Sequence, residues 1–564
     1  MLKSVRHKSL PKNGDGNYGS IEGDEIPFVE YNEGAEDLDE DLDKDEDMAL
    51  SRIPNLWIIE ATLFSNVFLS GFDGTVTAST YQTIGNEFNQ MSISNWITTA
   101  YLITSTSFQP LYGSFSDALG RRNCLFFANG AFTIGCLACS FSRNIYMLSF
   151  MRALTGIGGG GLITLSTIVN SDVIPSSKRG IFQAFQNLLL GFGAICGASF
   201  GGTIASSIGW RWCFLIQVPI SVVSSILMNF YVPNQKEYNH QNSSIFQNPK
   251  KILTDIDVMG SILIITGLTL QLLYLSLGCS TSKLSWTSPS VLLLLVGSVI
   301  ILLLFILHER KTSARAIIPM ELVSSSYSFV VLLISILVGF ASYAYLFTLP
   351  LFFQIVLGDS TAKAGLRLTI PSLFTPVGSL ITGFSMSKYN CLRLLLYIGI
   401  SLMFLGNFLF MFIEKTSPNW LIGLFLVPVN LGQGITFPTT LFTFIFMFPK
   451  SDQATATSTL YLFRSIGSVW GVAISAGVIQ LSFASFLRSN LKGLMDESKI
   501  KKLIVKLSAN SSYIGSLHGE VKDTVINSFD AATKRAHLLS TLLSLLALTL
   551  GILKDNLAKP KTRK

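Results

Sequence analysis

Apolar residues run along this chain in blocks of about twenty, separated by short connectors rich in glycine, proline and charge. A block of that length is what a helix needs to cross the hydrocarbon core of a bilayer, about 20 residues at 1.5 Å each. The pattern predicts helices over 56–78, 92–113, 123–142, 146–170, 180–205, 212–232 and 257–278, then over 290–308, 328–350, 365–386, 392–413, 420–447, 455–482 and 536–554. That makes fourteen spans. Twelve is the alternative count, because the pair within 257–308 and the final block are the least sharply bounded. Two polar stretches, 233–256 and 485–535, are long enough to be structured loops.

Composition removes most other classes. Of 564 residues, 49% are hydrophobic and 13% charged, about half the charge of an ordinary soluble domain. Too little polar surface remains to cover a water-soluble globule of this size. The seven cysteines lie in or beside apolar blocks, so a disulfide scaffold or zinc module is not expected. The chain reads as an all-α polytopic membrane protein and not as an enzyme. No metal, cofactor or nucleic-acid partner is expected, and the expected form is a monomer in a lipid bilayer.

Charge is unevenly placed. Residues 22–47 hold 14 of the 34 acids and one base, Lys44. This predicts an acidic, disordered tail over 1–51. If the N-terminus is cytoplasmic, the even connectors carry thirteen Lys and Arg, including Arg121, Arg122, Lys178 and Arg179, against six on the odd short connectors. That asymmetry places both ends in the cytoplasm, with a short basic tail at 556–564. The 485–535 loop would face the opposite side, where the sequon at Asn510 could carry a glycan. The sequon at Asn242 would stay bare. The implied organisation is a six-helix half over 52–232, a loop with two inserted helices over 233–325, and a second six-helix half over 326–555.

Several strings carry more information than their apolarity. Between spans 2 and 3 stand Gly113-Ser-Phe-Ser-Asp117-Ala-Leu-Gly120-Arg121-Arg122. Gly113 permits close helix approach, Gly120 supplies a turn, and Asp117 can pair with a neighbouring arginine. Span 1 contains Asp73 in Leu69-Ser-Gly-Phe-Asp-Gly-Thr-Val, span 4 opens on Arg152 before Gly156–Gly161, and span 5 carries Gly193, Gly197, Gly201 and Gly202. Trp210-Arg211-Trp212 leads into Pro219 at span 6. Together and in this order, the strings resemble the motifs of the major facilitator superfamily, in its fourteen-span drug:proton antiporter branch. The chain departs from the span-5 pattern at Gly197-Ala198, where the family usually has Gly-Pro. The texture is most similar to fungal vacuolar basic amino acid transporters. That resemblance implies the major facilitator fold, a cavity between two halves, and exchange of lysine, histidine or arginine for protons at a vacuolar membrane, with the plasma membrane as the alternative site. A multidrug:proton antiporter of the same branch and a non-translocating nutrient sensor are the rival functions.

The literal GxGxxG at Gly156–Gly161 lies inside an apolar span, where small residues serve helix packing and not a dinucleotide. The chain has no GxxxxGK[ST] phosphate loop, so a gradient is the expected energy source. An ionisable side chain at membrane depth costs about 2.5–3.5 kcal/mol on insertion scales, so its presence asks for a partner or a role. Asp73 is the deepest acid. Burial disfavours its ionised form, a cationic cargo favours it, and competition between proton and cargo would couple their fluxes. Arg152 is read with it as a coupling residue. Glu60, nearer the start of span 1, is read as interfacial, and Arg464 as a helix-pairing group. Gln186, Asn187, Gln354, Asn430 and Arg464 are candidate cavity residues. Prolines 371, 376, 428 and 438 are candidate bending points.

Overall fold

A computed structural model describes residues 55–557 except 89, 91–92, 95, 176–177, 233–256, 279–287, 313, 315, 360, 390, 450–451, 493–494, 510–513 and 515–516. The expected acidic tail, most of the expected basic tail, and the sequons at Asn242 and Asn510 lie outside the described residues.

The described chain is helical. In the first half, α1 is Leu56–Glu87, α2 Trp96–Leu119 and α3 Arg121–Ser140, followed by α4 Ile145–Val173 and α5 Arg179–Ser207. Helix α6 spans Arg211–Tyr231, and α7 (Val258–Gly278) and α8 (Pro289–Glu309) follow as an adjacent pair. Next come α9 Ser326–Ile355, α10 Arg367–Tyr389, α11 Leu392–Phe410, α12 Asn419–Ile445 and α13 Gln453–Leu491. The short α14, Glu497–Ala509, leads to α15, Gly519–Leu557. Among the described residues no strand occurs beyond an isolated bridge between Lys492 and Met495.

Twelve of these helices are long and apolar enough to cross a membrane. The first two, α1 and α2, are long enough at 32 and 24 residues but more polar. Their polar side chains, Asn66, Asp73, Thr77 and Gln109 among them, are buried against protein. A helix shielded by its neighbours does not need the apolarity of one facing lipid. In contrast, α8 is almost wholly apolar and shows Leu293, Val296, Ile300 and Leu304 to its surroundings.

Helices α1–α6 pack on one another, and so do α9–α13 with α15. The two groups meet where α2 lies on α13 and α5 lies on α10, while α7 packs against α2. Glycine sets the closest approaches. A Cβ on Gly193 or Gly197 would sit 2.3 Å from the carbonyl oxygens of Phe68 and Phe72, so α5 lies directly on the α1 backbone. Gly201 is equally tight against Ser79, whereas a Cβ on Gly202 would find ordinary room. Thr75 ties the pair by donating to the carbonyl of Ala194 at 2.7 Å.

The C-terminal end differs from the sequence pattern. A structured loop is expected over 485–535 and a last span over 536–554. Instead α13 runs on to Leu491 and α15 begins at Gly519, each 39 residues long. At 1.5 Å per residue that is about 58 Å, roughly twice the hydrocarbon thickness. The extra turns and α14 bury Phe483, Leu487, Leu491, Ile500, Leu503, Val525 and Phe529 in one cluster. Charged residues on the outer faces of these turns mask the apolar inner stripe from a linear reading.

Candidate functional site

Asp73 and Arg152 meet in the interior of the first helix group, both fully buried. Arg152 Nη1 donates to both carboxylate oxygens of Asp73, at 2.7 and 2.6 Å. Gln217 of α6 adds a donor to Asp73 at 3.3 Å. The guanidinium also lies 4.5 Å from the ring centroid of Tyr101 and 5.5 Å from that of Phe214. Four helices therefore close around one ion pair. The carboxylate expected to alternate between proton and cargo is committed, in this conformation, to a guanidinium. A buried pair of this kind braces helices, and breaking it strands a charge in a poorly polarisable interior.

The second charged cluster lies where α2 turns into α3. Gly120 has φ +95°, the left-handed conformation that glycine adopts without strain. The turn brings Arg121 back onto Asp117 at 2.5 Å and onto Asp172, at the end of α4, at 2.7 Å. Arg121 also donates to Ser116 at 2.6 Å. Arg122 points elsewhere and donates to Asn229 of α6. Across the interface, Thr455 of α13 donates to Asp117 at 3.3 Å. A Cβ on Gly113 would sit 2.1 Å from Ser458 Oγ and 2.9 Å from the carbonyl of Ala454. Arg179 of α5 donates to Gln453 at 2.9 Å, and Ser465 to Gln109 at 2.7 Å. At this end the two helix groups are latched together.

A little deeper, Thr167 and Tyr461 share a hydrogen bond of 3.1 Å across the same interface. Thr167 also donates to Gln186, whose amide donates to the carbonyl of Ser166. Asn187, one residue on, is half-buried on another face of α5. Asn430 donates to Tyr345 at 2.8 Å within the second group, and Gln354 is half-buried near the far end of α9. Arg464 is buried, and its partners among the described residues are neutral: the carbonyl of Phe437 at 2.8 Å, Thr440 at 3.3 Å, and the rings of Phe437 and Tyr461. It pairs helices, as expected, but without an acid.

Glu60, in the first turns of α1, is fully buried against protein, and neither carboxylate oxygen has a hydrogen-bond partner among the described residues. Asp172, Gln217, Thr167 and Tyr461 were not singled out by the sequence. Asp172 stands next to the last residue of α4, and Arg152 two turns inside its start; a second charge in one apolar span was the available signal.

A bundle of long apolar helices in two groups, with charged latches at their seam and buried ions within, is the architecture of a two-half membrane carrier. A family model, the Major Facilitator Superfamily, matches residues 63–472. The chain belongs to that superfamily and is a transporter, not an enzyme. It is 94% identical over 474 residues to vacuolar basic amino acid transporter 2 of Saccharomyces cerevisiae, covering 84% of this chain and all of that protein. It is 37% identical over 481 residues to the multidrug resistance protein fnx1 of Schizosaccharomyces pombe, covering 85% of this chain and 88% of that one. The crystal structure of a human organic anion transporter aligns with 88% of this chain and all of its own, at a TM-score of 0.58 and 13% identity, a likeness of fold.

Proposed function

We propose that this chain is a proton-coupled carrier that moves lysine, histidine and arginine from the cytoplasm into the vacuole in exchange for protons. The observation that carries the reading is the 94% identity to a vacuolar basic amino acid transporter along that relative's whole length. In this reading the chain crosses the membrane fourteen times as a monomer, with both ends cytoplasmic and Asn510 available for glycosylation in the vacuole. The latched end, with Asp117, Arg121 and Arg179, is then cytoplasmic, and the conformation is closed towards the cytoplasm.

Asp73 enters the cycle through Arg152. While their pair is closed, neither oxygen is open to proton or cation. The pair is a brace that has to open before this carboxylate can take either one. The likeness to a multidrug resistance protein supports a second reading, a drug:proton antiporter. Uptake into purified proteoliposomes under an imposed pH gradient separates the two. Lysine uptake that stops when the gradient is collapsed supports the proposal. Dye movement without lysine uptake overturns it in favour of the second reading, and saturable lysine binding without flux would mark a sensor.

A further inference from the structure

We infer that the cargo is held between two buried ions of opposite sign on the two sides of the seam, its cationic end on Glu60 and its α-carboxylate on Arg464. The inference rests on the proposed carriage of basic amino acids and assigns the residues that would recognise them. Among the described residues Glu60 is an acid without a base, and Arg464 a base without an acid, each enclosed in its own helix group. An ion in that position is costly unless a counter-charge arrives.

Packing register fixes where Glu60 lies. Leu56 and Phe64, one turn to either side of it, pack with Ile174 and Phe182. Helices α1 and α5 run parallel, with Trp57 against Phe182 and Phe68 against Gly193. Helix α4 runs antiparallel, with Ser70 against Gly159. These contacts set Glu60 level with Asn170 on α4 and Gln186 on α5. Asn170 is buried and its side-chain oxygen, too, lacks a partner among the described residues. From Gln186 the polar layer continues to Thr167 and then to Tyr461 on α13, whose ring centroid lies 5.1 Å from the Arg464 guanidinium. The Thr167–Tyr461 hydrogen bond thus stands between the two unpaired ions and joins the helix groups. Parting the groups breaks that bond and opens a polar gap with an acid on one wall and a base on the other. A zwitterion carrying an extra cation is complementary to both. A decarboxylated amine satisfies only Glu60, and a neutral amino acid with an apolar side chain leaves Glu60 without its side-chain cation.

The test is radiolabelled lysine uptake by the full-length protein in proteoliposomes, with cadaverine and norleucine as competitors. Cadaverine is lysine without its carboxylate, and norleucine is lysine without its side-chain ammonium. With wild type, each should compete at least tenfold more weakly than unlabelled lysine, since losing one charge-assisted contact is worth about ten- to a hundredfold. Glu60→Gln should raise the KM for lysine by about tenfold or more and narrow the gap between lysine and norleucine. Arg464→Met should raise the KM and narrow the gap between lysine and cadaverine, with Arg464→Lys between it and wild type. Should Arg464→Met fail to fold, the wild-type competition still decides. Wild type that takes up lysine yet is inhibited equally by cadaverine or norleucine overturns the assignment and leaves the proposed function standing. So does lysine KM unchanged within threefold in both Glu60→Gln and Arg464→Lys. Wild type that takes up no lysine overturns the proposed function itself, and this site with it.

Discussion

Replacing Asp73 by asparagine changes one charge and almost no volume, and the structure says what that does. Of the two oxygens that accept from Arg152 Nη1, at 2.7 and 2.6 Å, one becomes an NH2 donor facing the guanidinium and the other a neutral amide oxygen, so the counter-charge is gone; Thr155 at 3.2 Å and the weaker contacts to the carbonyls of Ile97 and residue 73 at 3.4 Å remain. The guanidinium has no route to water, because its exposure is 0%. Breaking a buried pair by removing one partner costs about 3–5 kcal/mol, whereas replacing both partners by neutral groups is often nearly neutral. The lower figure is roughly two powers of ten in the balance between a closed and an opened helix pair. Asp73→Asn should therefore lose both thermal stability and gradient-driven uptake, and Asp73→Asn with Arg152→Gln should regain more than half of the lost stability while staying inactive. The assay heats the detergent-solubilised protein, measures the monodisperse fraction remaining, and is run on both single variants and the double. Asp73→Asn melting with wild type would refute the reasoning. A double variant as unstable as the sum of the two singles would refute it equally, because independent effects add and coupled ones do not.

Three further outcomes follow from the latch and the helix ends. Gly113→Val should fold but prevent the latched end from closing, since even a Cβ meets Ser458 at 2.1 Å; uptake should fall at least about tenfold, with a cysteine at Ser458 becoming open to a water-soluble thiol reagent. Arg121→Gln removes the group that joins Asp117 to Asp172 and strands the buried Asp117 carboxylate; melting temperature should fall, and the same labelling should show the end opening. Glu87, beyond the expected first span, is pushed up by burial, but hydrogen bonds from Arg211 and Trp210 outweigh this and hold it below the usual carboxylate range. A depressed folded value gives stability that is complete above about pH 4.3 and lost as pH falls through the lower folded value. Wild type should therefore lose melting temperature below about pH 4 more steeply than Glu87→Gln, and parallel profiles would count against the pairing.

The helices were legible because lipid-facing and core-facing residues are both apolar, so block length alone reports a span. The same uniformity hides which side of a helix faces what. Asp73 and Arg152 were each visible as costly residues at depth, but their contact joins residues 79 apart, and one sequence carries no information on that pairing. Glu60 could be read only by its distance from the start of the block, whereas its burial against protein depends on neighbouring helices that one sequence does not place. The Asp117 turn was readable because Gly120 and Arg121 are local to it. Its third member, Asp172, belongs to another helix, and the partners Thr455 and Ser458 to the other half of the molecule.

The interlock of α1 and α5 limits how the molecule can work. With Gly193 and Gly197 seated on a neighbouring backbone and Thr75 bonded across, the two rods have no slack to slide or bend independently. They form a single beam, and any stroke must rotate that beam as a whole. A small rotation at one end then becomes an equal and opposite swing at the other, so shutting one mouth and opening the other is one lever movement instead of two separately timed gates.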